Sequence, residues 1–154
     1  MQNKTPKEIK ALQKEIQVKF FTPEDMGPRN WGKEILIAHI PGVGTGKILF
    51  RKAGMPGDLQ AHQIKDEAQY LYSGEMMIEY DAGNGKITKT IVKEGQGWHI
   101  PPLAVHRETP ITDCVVIEIS NPVFNDRINM EKEYGLKILE GGLPTTTIDE
   151  IEIR

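Results

Sequence analysis

The chain has 154 residues, which suits one domain that can bury a core without a stabilising staple. Nineteen basic and 22 acidic residues give a net charge of −3 with no basic block, so the sequence does not predict nucleic-acid binding. The single cysteine, Cys114, excludes an internal disulfide. No apolar run approaches the ~18 residues of a membrane span. The polar N terminus lacks the apolar stretch of a secretory signal, so we expect a cytoplasmic protein.

The N-terminal segment is predicted to be a helix over residues 5–17, followed by a loop over residues 22–33. Thr5 can cap the helix, Pro6 suits its first turn, and Glu8 completes a capping box. A narrow apolar stripe at helical spacing is formed by Ile9, Leu12 and Ile16. We therefore expect the helix to pack on the outside of the main domain or on another chain.

From residue 34 the apolar residues recur with a period of two, which indicates β-strands. Nine short strands separated by turn signals are predicted, and Asn84-Gly85 is the strongest hairpin signal among them. The predicted strands are residues 34–40, 47–53, 59–64, 67–73, 75–81, 86–92, 97–100, 105–109 and 113–120. This pattern predicts an all-β sandwich or barrel. The pattern fades afterwards, which divides the chain into a helix and loop (1–33), a barrel (34–122) and a C-terminal extension (123–154).

Four side chains on these strands are suited to bind one metal ion. Gln60 and His62 are two residues apart and so point to the same side of a strand. Glu67 opens the next strand after a short turn, and His106 lies on a later hairpin. Imidazole nitrogens suit zinc, iron, manganese, cobalt or nickel, and oxygen donors suit the harder of these. The sequence therefore predicts one divalent metal ion held by Gln60, His62, Glu67 and His106.

The spacing of these residues resembles the two motifs of the cupin family. The first motif has a glycine, two ligand positions, a glutamate and a closing glycine, matched in spacing by Gly54, Gln60, His62, Glu67 and Gly74. The second has a glycine, a proline and a histidine, matched by Gly95, Pro101 and His106. The resemblance covers about residues 34–120 and implies a jelly-roll β-barrel.

The chain departs from the two motifs at three positions. Gln60 stands where a histidine is usual, Leu103 where a glycine is usual, and Pro110 where an asparagine is usual. The Leu-Gln-x-His start of residues 59–62, and the Ile-Pro segment ending in His-Arg at residues 100–107, are similar to the metal-carrying segments of cupin-type phosphomannose isomerases. The resemblance thus extends to the sugar isomerase branch of the family.

This resemblance implies a metal-dependent enzyme that isomerises or epimerises a sugar or sugar-like hydroxy-carbonyl compound. Because Gln60 is a neutral donor, the bound divalent ion keeps a net positive charge, which favours binding of hydroxyl and carbonyl oxygens and stabilisation of an enediolate. Isomerisation also needs a group that moves a proton between adjacent carbons.

Strand parity supplies candidates for this and for substrate binding. Glu108 lies two residues after His106 and shares its face, which makes Glu108 the candidate base. Lys65, in the turn before the carboxylate ligand, can polarise or protonate. Gln69 can orient a substrate hydroxyl. His99 either lines the mouth of the site and contacts substrate or is a hydrogen-bonded structural residue.

Two other functions fit the same residues. Two histidines and one carboxylate resemble the facial triad of non-haem iron oxygenases, which makes a cupin dioxygenase the first alternative, with Gln60 as a loose fourth ligand. The second alternative is a non-catalytic cupin that binds a small molecule. Cupins commonly pair through their terminal appendages, so the resemblance also implies a homodimer.

Overall fold

The computed structural model describes residues 3–154, and these residues form an antiparallel β-structure with one short α-helix. The helix, α1, spans Pro6–Ala11. The strands are Glu24–Arg29 (β1), Gly32–Ile40 (β2), Gly44–Arg51 (β3), Gln60–His62 (β4), Glu67–Ser73 (β5), Glu75–Asp81 (β6), Ile87–Lys93 (β7), Gly97–Ile100 (β8), His106–Pro110 (β9), Cys114–Ser120 (β10), Val123–Phe124 (β11), Arg127–Asn129 (β12) and Glu152–Ile153 (β13).

Two large sheets line a common cavity. One has six strands in the order β1-β2-β3-β10-β5-β8, and the other has five in the order β12-β4-β9-β6-β7. A small third sheet pairs β11 with β13. The predicted all-β class is confirmed, because the nine strands expected between residues 34 and 120 all form, with boundaries that shift by a few residues.

Alternation along the strands separates a buried inner face from an outer face. On β5, Glu67, Gln69 and Leu71 are buried, whereas the intervening Tyr70 and Tyr72 are exposed, because successive side chains of a strand point to opposite faces. The apolar core occupies one part of the inner space and consists of Leu49, Leu71, Met76, Ile78, Val92, Cys114 and Val116. Polar and charged residues fill the rest of the inner face and form the cavity.

The N-terminal segment differs from the prediction in two ways. The capping box between Thr5 and Glu8 forms, but the α-helix ends at Ala11 and continues only as a 3₁₀ turn to Lys14. The packing expected on the outside of the main domain buries no residue of the helix, and packing on another chain stays a prediction. In residues 3–154, no helix combines the length and the apolar character needed to cross a membrane.

The loop predicted for residues 22–33 was wrong over Glu24–Arg29, which form strand β1. Proline argues against a central strand but is tolerated at an edge, and β1 is the edge of its sheet, with a register shift between Asp25 and Pro28. The composition of this segment is therefore typical of an edge strand as well as of a loop.

The C-terminal extension is part of the barrel rather than a wrapping around it. Strand β12 pairs with β4, so that Arg127 lies opposite His62. Asp126 and Glu131 are almost completely buried, and Glu131 accepts a hydrogen bond from the backbone N–H of Leu59 at 2.9 Å. The boundary predicted at residue 122 thus separates segments that share one interior. The homodimer implied by the family resemblance stays a prediction.

The glycine that closes the first motif has a packing reason to be glycine. Gly74 has a φ of +99°, and a Cβ there would lie 2.5 Å from the carbonyl oxygen of Asp113 and 2.7 Å from the sulfur of Cys114. Gly83 has a similar φ of +101° but no atom within 4 Å of the corresponding position. The two glycines thus share a backbone conformation and differ in their surroundings.

We expect Gly74→Ala to lower the free energy of unfolding by about 1–3 kcal/mol more than Gly83→Ala, because both variants place a side chain at positive φ but only the first overpacks the interior. Urea denaturation of both variants measures the difference. Equal losses of stability would contradict this account of Gly74.

Candidate metal centre

Three side chains predicted as metal ligands converge on one point of the cavity. Ligand atoms of His62, Glu67 and His106 all lie within 4.8 Å of one another, and all three residues are buried. The Oε1 atom of Glu67 lies 3.8 Å from Nε2 of His62 and 4.0 Å from Nε2 of His106. Two imidazoles and a carboxylate at this separation are a donor set that suits a divalent transition metal.

The fourth predicted ligand, Gln60, lies beside the other three. Its amide Nε2 is 3.5 Å from Nε2 of His62. Gln60 is also the register partner of His106, so that strands β4 and β9 bring Gln60, His62 and His106 together, and Glu67 faces them from β5 in the other sheet. Rotation of the amide by 180° presents its oxygen to the histidine nitrogens, which is the donor a metal would use.

Each histidine is oriented by a hydrogen bond through its other ring nitrogen. The Nδ1 atom of His62 lies 2.8 Å from Oδ1 of Asp126, and Nδ1 of His106 lies 2.9 Å from the carbonyl oxygen of Ala104. A proton on Nδ1 satisfies both contacts and leaves the lone pair of Nε2 free to bind a metal. Such partners fix the ring orientation and the tautomer of metal-binding histidines.

Asp126 is held ionised by its surroundings. It also accepts the backbone N–H groups of Ile64 and Lys65 at 2.9 and 2.7 Å. Burial opposes the charge, but these two bonds and the one from His62 together outweigh burial and lower the pKa of Asp126 to about 2, against 3.8 when unperturbed. Its stabilising contribution is therefore complete above about pH 4 and is lost as the pH falls towards about 2.

The electrostatics of the other ligands also favour metal binding. Burial lowers the pKa of His106, so its imidazole is neutral at physiological pH, the form that binds metal. Burial opposes ionisation of Glu67, but the ammonium of Lys65 together with His62 and His106 outweighs burial and lowers the pKa of Glu67. Lys65 pairs with Oε2 of Glu67, which leaves Oε1 on the side of the histidines.

The two predicted catalytic residues line the cavity but are both engaged in ion pairs. Nζ of Lys65 also lies 2.7 Å from Oε1 of Glu118. Oε2 of Glu108 pairs with the guanidinium of Arg51, and its Oε1 accepts the indole N–H of Trp98 at 2.9 Å. Burial disfavours the charge on Lys65, but its two carboxylate partners dominate and raise its pKa, so Lys65 is an ammonium.

The two predicted substrate-binding residues have different positions. Gln69 is buried, lines the cavity and donates from Nε2 to Oε1 of Glu67 at 3.4 Å, while its own Oε1 has no hydrogen-bond partner. His99 does not line the cavity, which corrects the expectation of substrate contact. On β8 it points to the outer face and pairs there with Asp66 at 2.6 Å, with 62% of its side chain exposed. The structural alternative for His99 is the one the geometry supports.

Several cavity residues were not found by sequence reasoning. Asp126 and Arg127 lie in the extension, and Lys47, Arg51 and Glu118 lie on strands where they were not considered. The sequence did contain one signal for the strand residues. Residues 47, 51 and 118 alternate with apolar neighbours on β3 and β10, and charged residues at the inward-facing positions of a strand indicate a polar cavity.

The fold is shared with several solved structures. The sequence matches no protein-family model, and no curated protein matches it. One structural neighbour is the capsular polysaccharide assembling protein CapF from Staphylococcus aureus, with a TM-score of 0.56 and 20% identity over 66% of this chain and 31% of CapF. A second is an RmlC-like cupin from Shewanella frigidimarina, with a TM-score of 0.53 and 18% identity over 64% of this chain and 81% of that cupin. A third is KdgF from Halomonas sp., with a TM-score of 0.54 and 19% identity over 65% of this chain and 86% of KdgF. The chain thus spans less than a third of CapF. At these identities the likeness establishes a shared fold alone.

We expect alanine at His62, Glu67 or His106 to lower zinc affinity by more than about 100-fold, because each removes a ligand from the convergent set. Gln60→Ala should have a smaller effect, because it removes a neutral donor. Competition with a chromogenic chelator measures these affinities. His99→Ala is the matched control and should bind zinc as the unmodified chain does; unchanged affinity in all three ligand variants would disprove the site.

Asp126→Asn should weaken zinc binding by about 10–100-fold, because an amide orients the His62 ring less strongly and no longer increases its basicity. The chain offers a matched control in Asp66→Asn, which alters the exposed aspartate–histidine pair on the outer face. The same competition assay applies. Equal zinc affinities for the two asparagine variants would contradict the role assigned to Asp126.

Proposed function

We propose that this chain, which has the cupin fold, is a metal-dependent enzyme that isomerises or epimerises a sugar or sugar-like hydroxy-carbonyl compound. The observation that carries the proposal is the convergence of His62, Glu67 and His106 within 4.8 Å, with Gln60 beside them, in a cavity of about 420 Å³. A cavity of this size suits a small molecule.

The donor set indicates the chemistry that a metal would supply. A divalent ion held by two neutral imidazoles, one carboxylate and one neutral amide is a Lewis acid that stabilises negative charge on neighbouring hydroxyl and carbonyl oxygens. The side chains around the ligands then have to bind the substrate, keep water out and move a proton.

Gln69 and Lys65 are placed to bind and polarise the substrate. The unpartnered Oε1 of Gln69 is buried and can accept a hydrogen bond from a substrate hydroxyl, which would satisfy an otherwise costly buried acceptor. Lys65 is a buried ammonium that donates to Glu67 and Glu118. It therefore acts as a proton donor or an electrostatic partner and not as a base.

Glu108 is the candidate group for proton transfer. It is buried on the strand of His106, and its two oxygens are held by Arg51 and by the indole of Trp98. These contacts fix the orientation of the carboxylate in the cavity, and a carboxylate is a group that can accept a proton. A substrate proton would reach Glu108 when one of the two contacts gives way.

We expect the zinc- or manganese-loaded chain to exchange a carbon-bound hydrogen of a sugar or sugar phosphate with deuterium from solvent, as detected by NMR. Glu108→Gln should keep the metal and slow this exchange by about 10²–10⁴-fold, because it removes the proton acceptor. Glu79→Gln is the control, since Glu79 is equally buried but pairs with Arg107 and does not line the cavity.

Two results would count against the proposal. Exchange at the same rate in Glu108→Gln would remove Glu108 from the mechanism. A chain that binds sugars but shows no exchange with any divalent metal would favour the non-catalytic binding function.

The second candidate function is that of a non-haem iron dioxygenase. It is favoured by one observation, that the compact cluster consists of two histidines and one carboxylate, the donor set of the facial triad. Iron(II) retained by the purified chain, with oxygen uptake in the presence of a substrate, supports this function. Zinc, manganese or cobalt without oxygen uptake supports the isomerase.

A further inference from the structure

The cavity is lined by a nearly balanced set of charges. Its carboxylates are Glu34, Asp58, Glu67, Glu108, Glu118, Asp126 and Glu152, and its cations are Arg29, Lys47, Arg51, Lys65, Arg127 and Arg154. A divalent ion at the metal centre would turn this near balance into an excess of positive charge. The location of the excess depends on which cation lacks a carboxylate of its own.

Five of the six cations have a carboxylate within 4.0 Å. The pairs are Arg29 with Glu34, Lys47 with Glu34 and Glu118, Arg51 with Glu108, Lys65 with Glu67 and Glu118, and Arg154 with Glu152 and Glu24. Arg127 has no carboxylate at this distance among residues 3–154, and its buried Nε has no hydrogen-bond partner. Arg127 is thus the cation of this cavity that has no carboxylate of the described residues in direct contact.

The carboxylates nearest to Arg127 are already occupied by other donors. Glu34 is shared by Lys47 and Arg29, and Asp58 accepts the backbone N–H of Leu143 at 3.0 Å. Asp126 accepts three hydrogen bonds, from His62 and from two backbone N–H groups. Pairing of Arg127 with Glu34 or Asp126 would therefore compete with existing bonds.

The surroundings also make the charge of Arg127 costly. Burial and the neighbouring Arg29 lower the pKa of Arg127 more than Glu34, Asp58 and Asp126 raise it, so these carboxylates compensate its positive charge only in part. A guanidinium remains charged nevertheless, because its unperturbed pKa is far above neutrality. An anion that enters the cavity would relieve this cost.

The position of Arg127 relates it directly to the metal centre. Arg127 on β12 is the register partner of His62 on β4, and residues directly opposite on paired strands project to the same face. Their Cβ atoms are separated by about 5 Å in such pairs. A small molecule bound at His62 therefore extends within reach of the guanidinium.

We propose that Arg127 binds an anionic group, a carboxylate or a phosphate, of the substrate that occupies the metal centre. The planar fork of a guanidinium matches either group through two parallel hydrogen bonds. This inference deepens the proposed function, on which it rests, and narrows the substrate to an acidic sugar, a sugar phosphate or a hydroxy-carbonyl compound of the same charge.

The test is calorimetric titration of the full zinc-loaded chain with inorganic phosphate and, separately, with acetate. We expect at least one of the two anions to bind, and which of them binds distinguishes a phosphate from a carboxylate site. Arg127→Gln should weaken that binding by about tenfold or more, with unchanged zinc content, because it removes the charged donors. Arg127→Lys should weaken it less, since the charge stays but the fork is lost.

Arg107→Gln is the matched control, because Arg107 is also a strand arginine but pairs with Glu79 outside the cavity. It should bind the anion as the unmodified chain does. The proposal is overturned if neither anion binds, or if Arg127→Gln and Arg127→Lys bind as tightly as the unmodified chain, which is the result expected when the metal alone holds the anion.

The outcome is distinguishable from failure of the proposed function. Loss of anion binding in Arg127→Gln, in a chain that exchanges no sugar hydrogens, would refute the isomerase and leave the anion site in place. Hydrogen exchange that is equally efficient with neutral and anionic sugars, and unaffected by Arg127→Gln, would refute the anion site and leave the isomerase.

Discussion

The hydrogen bond between His62 and Asp126 connects the metal centre to the C-terminal extension. Asp126 is buried, accepts two backbone N–H groups of the β4–β5 turn in addition to His62, and precedes β12, which pairs with β4. One carboxylate thus orients the ring of His62, a candidate metal ligand, shapes the turn that leads to Glu67, and positions Arg127 opposite the ring. The extension is therefore a structural part of the site.

A second constraint is that buried charges need partners. The inner face of β3, β5 and β10 carries Lys47, Glu67 and Glu118, linked through Lys65 in a continuous series of ion pairs. Such a series costs free energy to assemble, because its charges leave water, and removal of one member lowers the free energy of unfolding by several kcal/mol. It therefore specifies the arrangement of the cavity more than it stabilises the fold. Arg127 is the exception among the cations of the cavity, which is why we propose that it binds an anionic group of the substrate.

The sequence predicted the four proposed ligands because they stand at fixed spacings in two short segments with period-two alternation. The expected hairpins do not form, because β4 and β5 lie in different sheets, as do β8 and β9. The sequence could not predict Asp126 or Arg127, whose positions depend on the path of an extension without periodicity. His99, by contrast, could have been placed correctly from the sequence. It is one residue from buried Ile100, so strand parity alone puts it on the outer face. Leu103 adopts a φ of +68°, a left-handed conformation that favours glycine, the residue usual at this position of the cupin motif. Leucine adopts this conformation at a cost in conformational energy.

The proposed site requires a metal ion bound at one place, and anomalous diffraction from a zinc-loaded crystal tests this most directly. We expect an anomalous peak in the cavity, at about 2.0–2.2 Å from Nε2 of His62, Nε2 of His106 and a carboxylate oxygen of Glu67, with the Gln60 amide turned towards it. A peak only at the exposed His99 and Asp66 pair, or no peak in the cavity at saturating zinc, would contradict the account.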